Sequence, residues 1–431
     1  MIPSGSSSQL SVKLGHLLNI PPLSIELLPG DGAEWLSADV PAEARHHAPF
    51  LHFEGNLGVP QKLAYKAYLE SVPMFRRCRA RLRARRAASA SSELTEAEIV
   101  ETLASTAVLL LVNPAHQSAL NVRKQLVQQG VVNAAHELCF TSALLTLHEG
   151  AKQSLLWHHR RWLLRRIYPR DGSTSGHPAT GEEEDSLQDL ALDADAFRTE
   201  FAVVARACEV YPRNYHAWTH RFLCAEALVS LIQTQGREVL VDVWTEERTR
   251  IREWIERHVS DYSAMQYACR LDVLAREVYA SDPEQKAPEQ VWAMRTEDGE
   301  SACEHAWSLV QAYPSHESLW LYLRGALSLS LSHAAEAQLA GPSTARREAR
   351  TFAERVLKGG TAAEDGAGGL EGGAFGERVQ VRRHAVRFLA WLRWREGALN
   401  VDERIVRGVA AEAEGEEVLD LMGTLLGSTS W

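Results

Sequence analysis

Apolar residues recur along this 431-residue chain at the three- and four-residue spacing of helices, and few segments alternate as a strand does. The helical pattern starts after Pro60, in QKLAYKAYLESV, and it returns in 197–208 and 379–395. Thr95 and Glu98 have the spacing of a capping box ahead of an apolar run. The pattern predicts an all-α fold built from antiparallel helix pairs, each burying its apolar face against its neighbours.

One short pattern, or kernel, repeats within the helical part of the chain. It is clearest at 209–224, EVYPRNYHAWTHRFLC, where Asn214 is suited to cap a helix that starts near Pro212. Trp218 and Arg221 are three residues apart, so they share one face of that helix. Four more segments align with this kernel, and they place Leu120, Trp157, Met265 and Trp320 at the position of Trp218, called the Trp slot below.

Successive Trp slots are 37 to 61 residues apart, and the shortest spacing is close to the ~34–47 residues of helix-pair repeats. The kernels carry Arg123, Arg160 and Arg221 three residues after the slot, Arg324 four after it and Arg270 five after it. The Met265 kernel is degenerate, because Ala268 stands where the arginine would be. We expect Trp157, Trp218 and Trp320 to pack between helices. We expect the arginines to bind nearby carbonyls or acids, with contact to a partner protein as the alternative.

Composition divides the chain into four segments. Residues 1–60, rich in Pro, Gly and Ser, are predicted to form an irregular, partly packed N-terminal extension. Residues 61–357 form the helical repeats, with an acidic, Gly- and Ser-containing insert at 171–189 that is expected to be a disordered loop. Residues 358–377 are predicted to be a Gly-rich linker, and 378–431 to form C-terminal helices.

Charge and cysteine content argue against several classes of function. A formal net charge of -10 argues against general nucleic-acid binding. The six cysteines show no CxxC spacing, as expected for free thiols in a reducing compartment. His46–His47 and His158–His159 are adjacent pairs whose side chains point to different faces, so no metal or cofactor site is predicted in this chain. With no signal peptide and no run of eighteen apolar residues, we expect no membrane span and a cytoplasmic location.

Residues 75–86, FRRCRARLRARR, are dense in arginine. This composition is typical of the solvated end of a helix. A contact for an acidic partner or an anionic lipid surface is the alternative. The sequence leaves the role of this segment open, and also that of the acidic insert.

The Trp–Arg kernels, the Asn-Pro and Tyr-Pro steps before them and the string NYHAW together resemble the α-subunit repeat of protein prenyltransferases. The resemblance covers roughly residues 50–330. Its supporting strings are LVNPA at 111–115, NVRK at 121–124, WHHRRW at 157–162, PRNYHAW at 212–218 and HVSDY at 258–262. The resemblance implies a right-handed superhelical solenoid that wraps around a β subunit. That β subunit carries the catalytic zinc and most of the isoprenoid pocket, so no cofactor is expected on this chain.

The resemblance also implies roles for three residues of the central kernel. In the family, a lysine just before the Asn-Tyr step steadies the isoprenoid diphosphate, and Arg213 occupies that place here. Arginine keeps the charge but presents a planar fork where lysine presents a point charge. Tyr215 falls on the family tyrosine that faces the shared substrate cleft, and His216 follows it. Arg213, Tyr215 and His216 are therefore the predicted catalytic residues.

The function implied by the resemblance is that of a geranylgeranyltransferase α subunit, inactive alone. Its implied partners are a β subunit of the Rab geranylgeranyltransferase type, geranylgeranyl diphosphate and a protein substrate with a C-terminal cysteine. In a type III enzyme that substrate is already farnesylated, as a Golgi SNARE is. The α subunit of farnesyltransferase or of the type I enzyme is one alternative, and a non-catalytic helical-repeat scaffold is another. The isoprenoid, the protein substrate and the β subunit stay open.

Overall fold

A computed structural model describes residues 9–33, 41–87, 94–169, 186–188, 190–235, 238–281, 302–331, 344–357 and 373–395. Within these ranges, nearly all regular structure is helical, which confirms the predicted all-α class. The chain divides into two compact units, Met1–Trp244 and Thr245–Trp431. The handedness of the predicted solenoid stays a prediction.

The first unit consists of helices and one small sheet. Its elements are α1 Gln9–Asn19, β1 Ser24–Leu28, α2 Ala42–Arg45, β2 Leu51–Phe53, β3 Asn56–Pro60, α3 Gln61–Ala87, α4 Glu96–Val112, α5 Gln117–Gln128, α6 Ala134–Leu144, α7 His148–Ala151, α8 Ser154–Ile167, α9 Ala194–Val210 and α10 Tyr215–Gln235. The predicted capping box is present at the start of α4, where the Glu98 carboxylate accepts the Thr95 N–H at 2.9 Å. Neighbouring helices pack as pairs, α6 with α8 and α9 with α10.

The structure differs from the irregular extension predicted over 1–60. Helix α1 packs against α3 and α4, with Leu14 and Leu18 fully buried. Gly15 permits the close approach, because a Cβ atom there would lie 2.4 Å from the Cβ of Ala104. The segment is therefore part of the core of the first unit.

A three-stranded sheet in the order β1-β3-β2 follows α1. Strand β1 runs parallel to β3, with Ser24 opposite Asn56, and β2 runs antiparallel to β3. Glu54 and Gly55, which join β2 to β3, have φ angles of 48° and 79°. Two successive positive φ angles suit a two-residue hairpin turn. Strands of three to five residues carry too little alternation to stand out in a Pro- and Gly-rich sequence.

The second unit is helical in its described ranges. Helix α11 Glu238–Arg257 begins in the first unit and ends in the second; it is followed by α12 Tyr262–Ser281, α13 Ala302–Ala312, α14 Glu317–Leu331, α15 Thr344–Leu357 and α16 Gly373–Arg395. Aromatic rings join these helices. The ring centroid of Trp320 lies 6.2 Å from that of Phe352 and 5.5 Å from that of Phe388, while Trp307 lies 5.6 Å from Phe352.

Parts of the predicted segments lie outside the described residues. Helix α16 begins at Gly373, inside the predicted linker 358–377, and the remainder of that linker lies outside the described residues. Nearly all of the acidic insert 171–189 and the C-terminal part of 378–431 also lie outside them. In the described ranges, no helix combines the length and apolarity needed to cross a bilayer.

Candidate functional site

The loop between α9 and α10 is held by a single asparagine. Asn214 is fully buried, and its Oδ1 accepts the N–H of Ala217 at 3.2 Å, which caps α10 as predicted. Its Nδ2 donates to the carbonyl of Ala151 at 2.7 Å. The same carbonyl accepts the indole N–H of Trp157 at 2.8 Å. The start of α10 is therefore fixed to the end of α7 and the Trp slot of α8.

Around this buried anchor, the three predicted catalytic residues lie at the surface. Arg213 is exposed and has a φ of 57°, in the left-handed region that costs a non-glycine residue about 1–2 kcal/mol. Tyr215 is 74% exposed. His216 is half-buried, its ring centroid lies 5.5 Å from that of Tyr215, and burial followed by the charge of Arg161 lowers its pKa. The structure brings the three residues together at one end of α10.

Arg123, in the first kernel, lies at the centre of a buried cluster. Its Nε and Nη2 donate to the carboxylate of Glu137 at 2.8 and 2.7 Å, and neither side chain is exposed. The Nε2 of His159 lies 3.2 Å from the same carboxylate. The guanidinium also stands 4.1 Å from the centroid of the Phe140 ring. This arginine is a core residue of the first unit.

Arg160, in the second kernel, has the same surroundings. Its Nε and Nη2 donate to Glu200 at 2.6 and 2.7 Å, and the Nε2 of His220 lies 2.8 Å from that carboxylate. The remaining Nη1 donates to Ser142 Oγ at 2.8 Å. We call Arg123–Glu137–His159 and Arg160–Glu200–His220 the two Arg–Glu–His clusters.

The clusters perturb the ionisation of their members. Burial raises the pKa of Glu137 and of Glu200, but the paired arginine and the histidine outweigh it and bring each pKa to about 2. Burial lowers the pKa of His159 and of His220 despite the neighbouring carboxylate. An ionised carboxylate accepts only, so each Nε2 carries the proton. The clusters are structural, and they leave no ionised carboxylate available to a substrate.

The other kernel residues are also placed by packing. Arg221 is 3% exposed and its guanidinium stands 5.4 Å from the centroid of the Trp218 ring. Trp218 and Trp320 are buried, and the indole N–H of Trp320 donates to the Pro314 carbonyl at 2.8 Å. Arg324 is half-buried, 5.3 Å from the centroid of the Trp391 ring. Its pKa is lowered by burial.

The residue two positions after the Trp slot is a recurring feature that the sequence analysis missed. His159 and His220 occupy it in two kernels, and Tyr267 occupies it after Met265, where its hydroxyl donates to Glu247 at 2.7 Å. Arg270, aligned with the kernel arginines, is exposed instead. The His-Arg dipeptide, present in both kernels, was the sequence signal for this feature. In His159–Arg160, for example, the histidine belongs to one Arg–Glu–His cluster and the arginine to the other.

Among the described residues, no group of three or more His, Cys, Asp or Glu side chains is placed to hold a metal ion. The described cysteines are free, and burial raises the pKa of Cys78 and brings that of Cys269 to about 12. A raised pKa disfavours the thiolate that a nucleophile or metal ligand needs. The catalytic roles of Arg213, Tyr215 and His216 stay predictions.

Comparison with known proteins supports the resemblance. Residues 197–228, which include most of α9 and the Trp218 kernel, match the family described as protein prenyltransferase alpha subunit repeat. The chain is 31% identical over 235 residues to protein prenyltransferase alpha subunit repeat-containing protein 1 of Danio rerio, covering 51% of this chain and 52% of that protein. It is 28% identical over 249 residues to the Homo sapiens protein of the same name, covering 52% and 58%. The chain thus spans about half the length of the curated relatives it matches.

Proposed function

We propose that this chain, a member of the prenyltransferase α-subunit repeat family, is the α subunit of a heterodimeric protein prenyltransferase. The main support is the division of the central kernel into buried and exposed residues. Asn214, Trp218 and Arg221 are buried, whereas Arg213 and Tyr215 are exposed. Because the buried Asn214 fixes the backbone of this loop, Arg213 and Tyr215 can meet a partner or ligand without the cost of ordering the loop backbone on binding.

The chemistry proposed for this loop is electrostatic. Transfer of an isoprenoid to a cysteine releases diphosphate, and a fixed cation near the departing group stabilises the developing charge. Arg213 can offer two parallel N–H donors to such a group. The zinc that activates the cysteine thiolate is proposed to belong to the β subunit. Tyr215 and His216 would border the isoprenoid or the protein substrate.

The specific reaction proposed is geranylgeranyl transfer to a protein cysteine, in complex with a β subunit of the Rab geranylgeranyltransferase type. A previously farnesylated protein is the proposed substrate, and the cytoplasm is the proposed location. The isoprenoid, the β subunit, the substrate and the location proposed here are taken from the family resemblance.

Co-expression with a Rab-type β subunit tests the proposal directly. We expect co-elution in gel filtration and zinc-dependent transfer from labelled geranylgeranyl diphosphate. Arg213→Ala should lower transfer roughly tenfold or more, because a hydrogen bond to a charged group contributes about 1.5–3 kcal/mol. Arg213→Lys should retain most of it, since the charge remains. Farnesyl diphosphate, run in parallel, determines the isoprenoid.

Arg76→Ala is the matched control, because Arg76 is an exposed arginine on α3. It should leave transfer unchanged. Co-elution without any effect of Arg213→Ala would remove the diphosphate role but keep the subunit assignment. If no prenyltransferase β subunit co-elutes, the assignment is wrong, and a helical-repeat scaffold becomes the better interpretation.

A further inference from the structure

The arginines near the end of α3 divide between two sides of the helix. Arg77 and Arg81 pair with Glu101 at 3.2 and 2.8 Å, and Arg85 pairs with Glu98 at 2.9 Å. These three arginines are four residues apart in turn, so they form one stripe facing α4. The two acids offset two of these three positive charges.

Arg79 and Arg83 lie outside that stripe and, within the described chain, form no ion pair. They line a cavity of about 250 Å³ together with Ser118, Asn121 and Gln125 of α5. The α5 residues are spaced three and four apart, so they share the face of α5 that meets these arginines. The cavity thus collects two arginines, a serine hydroxyl and two side-chain amides, and no carboxylate of the described residues lines it.

The position of the cavity is set by a contact between α3 and the beginning of α5. The buried Phe75 ring meets the ring of His116 edge to face, with centroids 5.5 Å apart. The Nδ1 of His116 accepts the N–H of Ala119 at 3.1 Å and so caps α5. Ser118 therefore stands in the first turn of α5, where the helix dipole favours negative charge. Leu82 and Val122 complete the lining.

We propose that this cavity, the α3–α5 pocket, binds a phosphate monoester or diphosphate group. Arginine matches phosphate oxygens with paired donors, and the hydroxyl and amides add further donors. A volume of about 250 Å³ is below the ~300–1,000 Å³ of pockets for drug-sized ligands, which favours a small polar group. The group belongs either to a free phosphorylated metabolite or to a phospholipid headgroup.

Isothermal titration of the full chain with inorganic pyrophosphate, at fixed ionic strength, measures this binding. Arg79→Gln and Arg83→Gln should each weaken it about tenfold, because each removes charge-assisted hydrogen bonds. Asn121→Asp should abolish it by placing a carboxylate in the cavity. Arg79→Lys should recover part of the affinity. Asn121 and Arg83 are exposed, so their substitution leaves the core intact, and circular dichroism checks the fold.

Two variants locate the binding. Arg76→Gln removes an equal charge from an exposed position of α3 that does not line the cavity, and it should bind pyrophosphate as the unmodified chain does. Arg213→Gln removes any binding at the loop of the proposed function, and it should keep the binding that depends on Arg79 and Arg83. The proposed pocket is wrong if pyrophosphate does not bind, if Arg76→Gln and Arg79→Gln weaken binding equally, or if only Arg213→Gln loses binding. Because the pocket residues are not those of the loop, this result is independent of the prenyltransferase assay.

Sedimentation with phosphatidylcholine vesicles, with and without phosphatidylinositol phosphate, separates the two sources. Phosphoinositide-dependent binding that Arg83→Gln weakens supports a headgroup. Pyrophosphate binding without vesicle binding supports a free phosphorylated ligand.

Discussion

At the residue scale, Arg123 and Arg160 contribute to stability because each is paired with a buried glutamate. Arg160 and Glu200 are both buried, so each charge has lost its hydration and depends on the other. Removing one partner of such a pair typically costs about 3–5 kcal/mol, whereas replacing both with apolar residues is often close to neutral. The asymmetry arises because a lone buried charge has nothing to replace the water it lost.

We expect Arg160→Met to lower the free energy of unfolding by about 3–5 kcal/mol, measured by urea denaturation. The double variant Arg160→Met/Glu200→Met should recover at least half of that loss. Arg250→Met is the control, since Arg250 pairs with Glu246 on the surface of α11, and it should cost about 0.5 kcal/mol or less. A single-variant loss no larger than the control's would show that the cluster is not structural.

At the element scale, the residue that caps α10 makes a hydrogen bond beyond the one that an ordinary helix cap makes. Asn133 caps α6 by accepting the Ala135 N–H at 2.8 Å, and Asn214 caps α10 in the same manner. Asn214 also donates to the Ala151 carbonyl, which joins α10 to the end of α7. This second hydrogen bond attaches the loop that contains Arg213 to the packed helices of the first unit.

Asn133→Ala and Asn214→Ala therefore form a matched pair. We expect Asn133→Ala to cost about 1 kcal/mol of unfolding free energy, the usual value of a lost cap. Asn214→Ala should cost about 1–2 kcal/mol more, because it also removes a buried hydrogen bond. Hydrogen exchange at the first turn of α10 should increase in the second variant. Equal costs would mean that the bond to Ala151 contributes nothing.

The elements also differ in how far their own sequence predicts them. The α4 capping box and the beginning of α10 follow from residues within one turn, and both are confirmed. Helix α1 was missed because its stability comes from burial against α3 and α4, and the small sheet was missed because its short strands are stabilised by packing against α2, α3 and α6. The glycine that allows this burial, Gly15, has no local signature of that role.

At the scale of the whole molecule, acid acts on the clusters through two kinds of group. His159 and His220 have pKa values below 6.5 in the folded chain, so the unfolded chain takes up protons that the folded chain does not. Stability therefore falls as the pH drops below about 6.5. Glu137 and Glu200, at about 2 when folded, add a further loss as the pH falls from about 4.5 towards 2.

Replacing one buried histidine should flatten the first part of this decline. We expect His220→Gln to reduce the slope of unfolding free energy against pH between 6.5 and 5 by up to about 1.4 kcal/mol per pH unit. Urea denaturation at a series of pH values measures the slope. His148→Gln replaces an exposed histidine and should change the slope less. An unchanged slope in His220→Gln would show that His220 takes up its proton in the folded chain.

The sequence by itself determined the helical class, the repeated kernel and the cap of α10. Each of these is encoded by residues three or four positions apart, which meet as soon as a helix forms. Only the tertiary structure decided which acids Arg123 and Arg160 bind: Glu137 is 14 residues from Arg123, and Glu200 is 40 from Arg160. It also decided that Arg79 and Arg83 face a cavity while Arg77 and Arg81 face Glu101. Such pairings depend on how helices pack, because side-chain partners distant along the chain are selected by burial and not by local spacing.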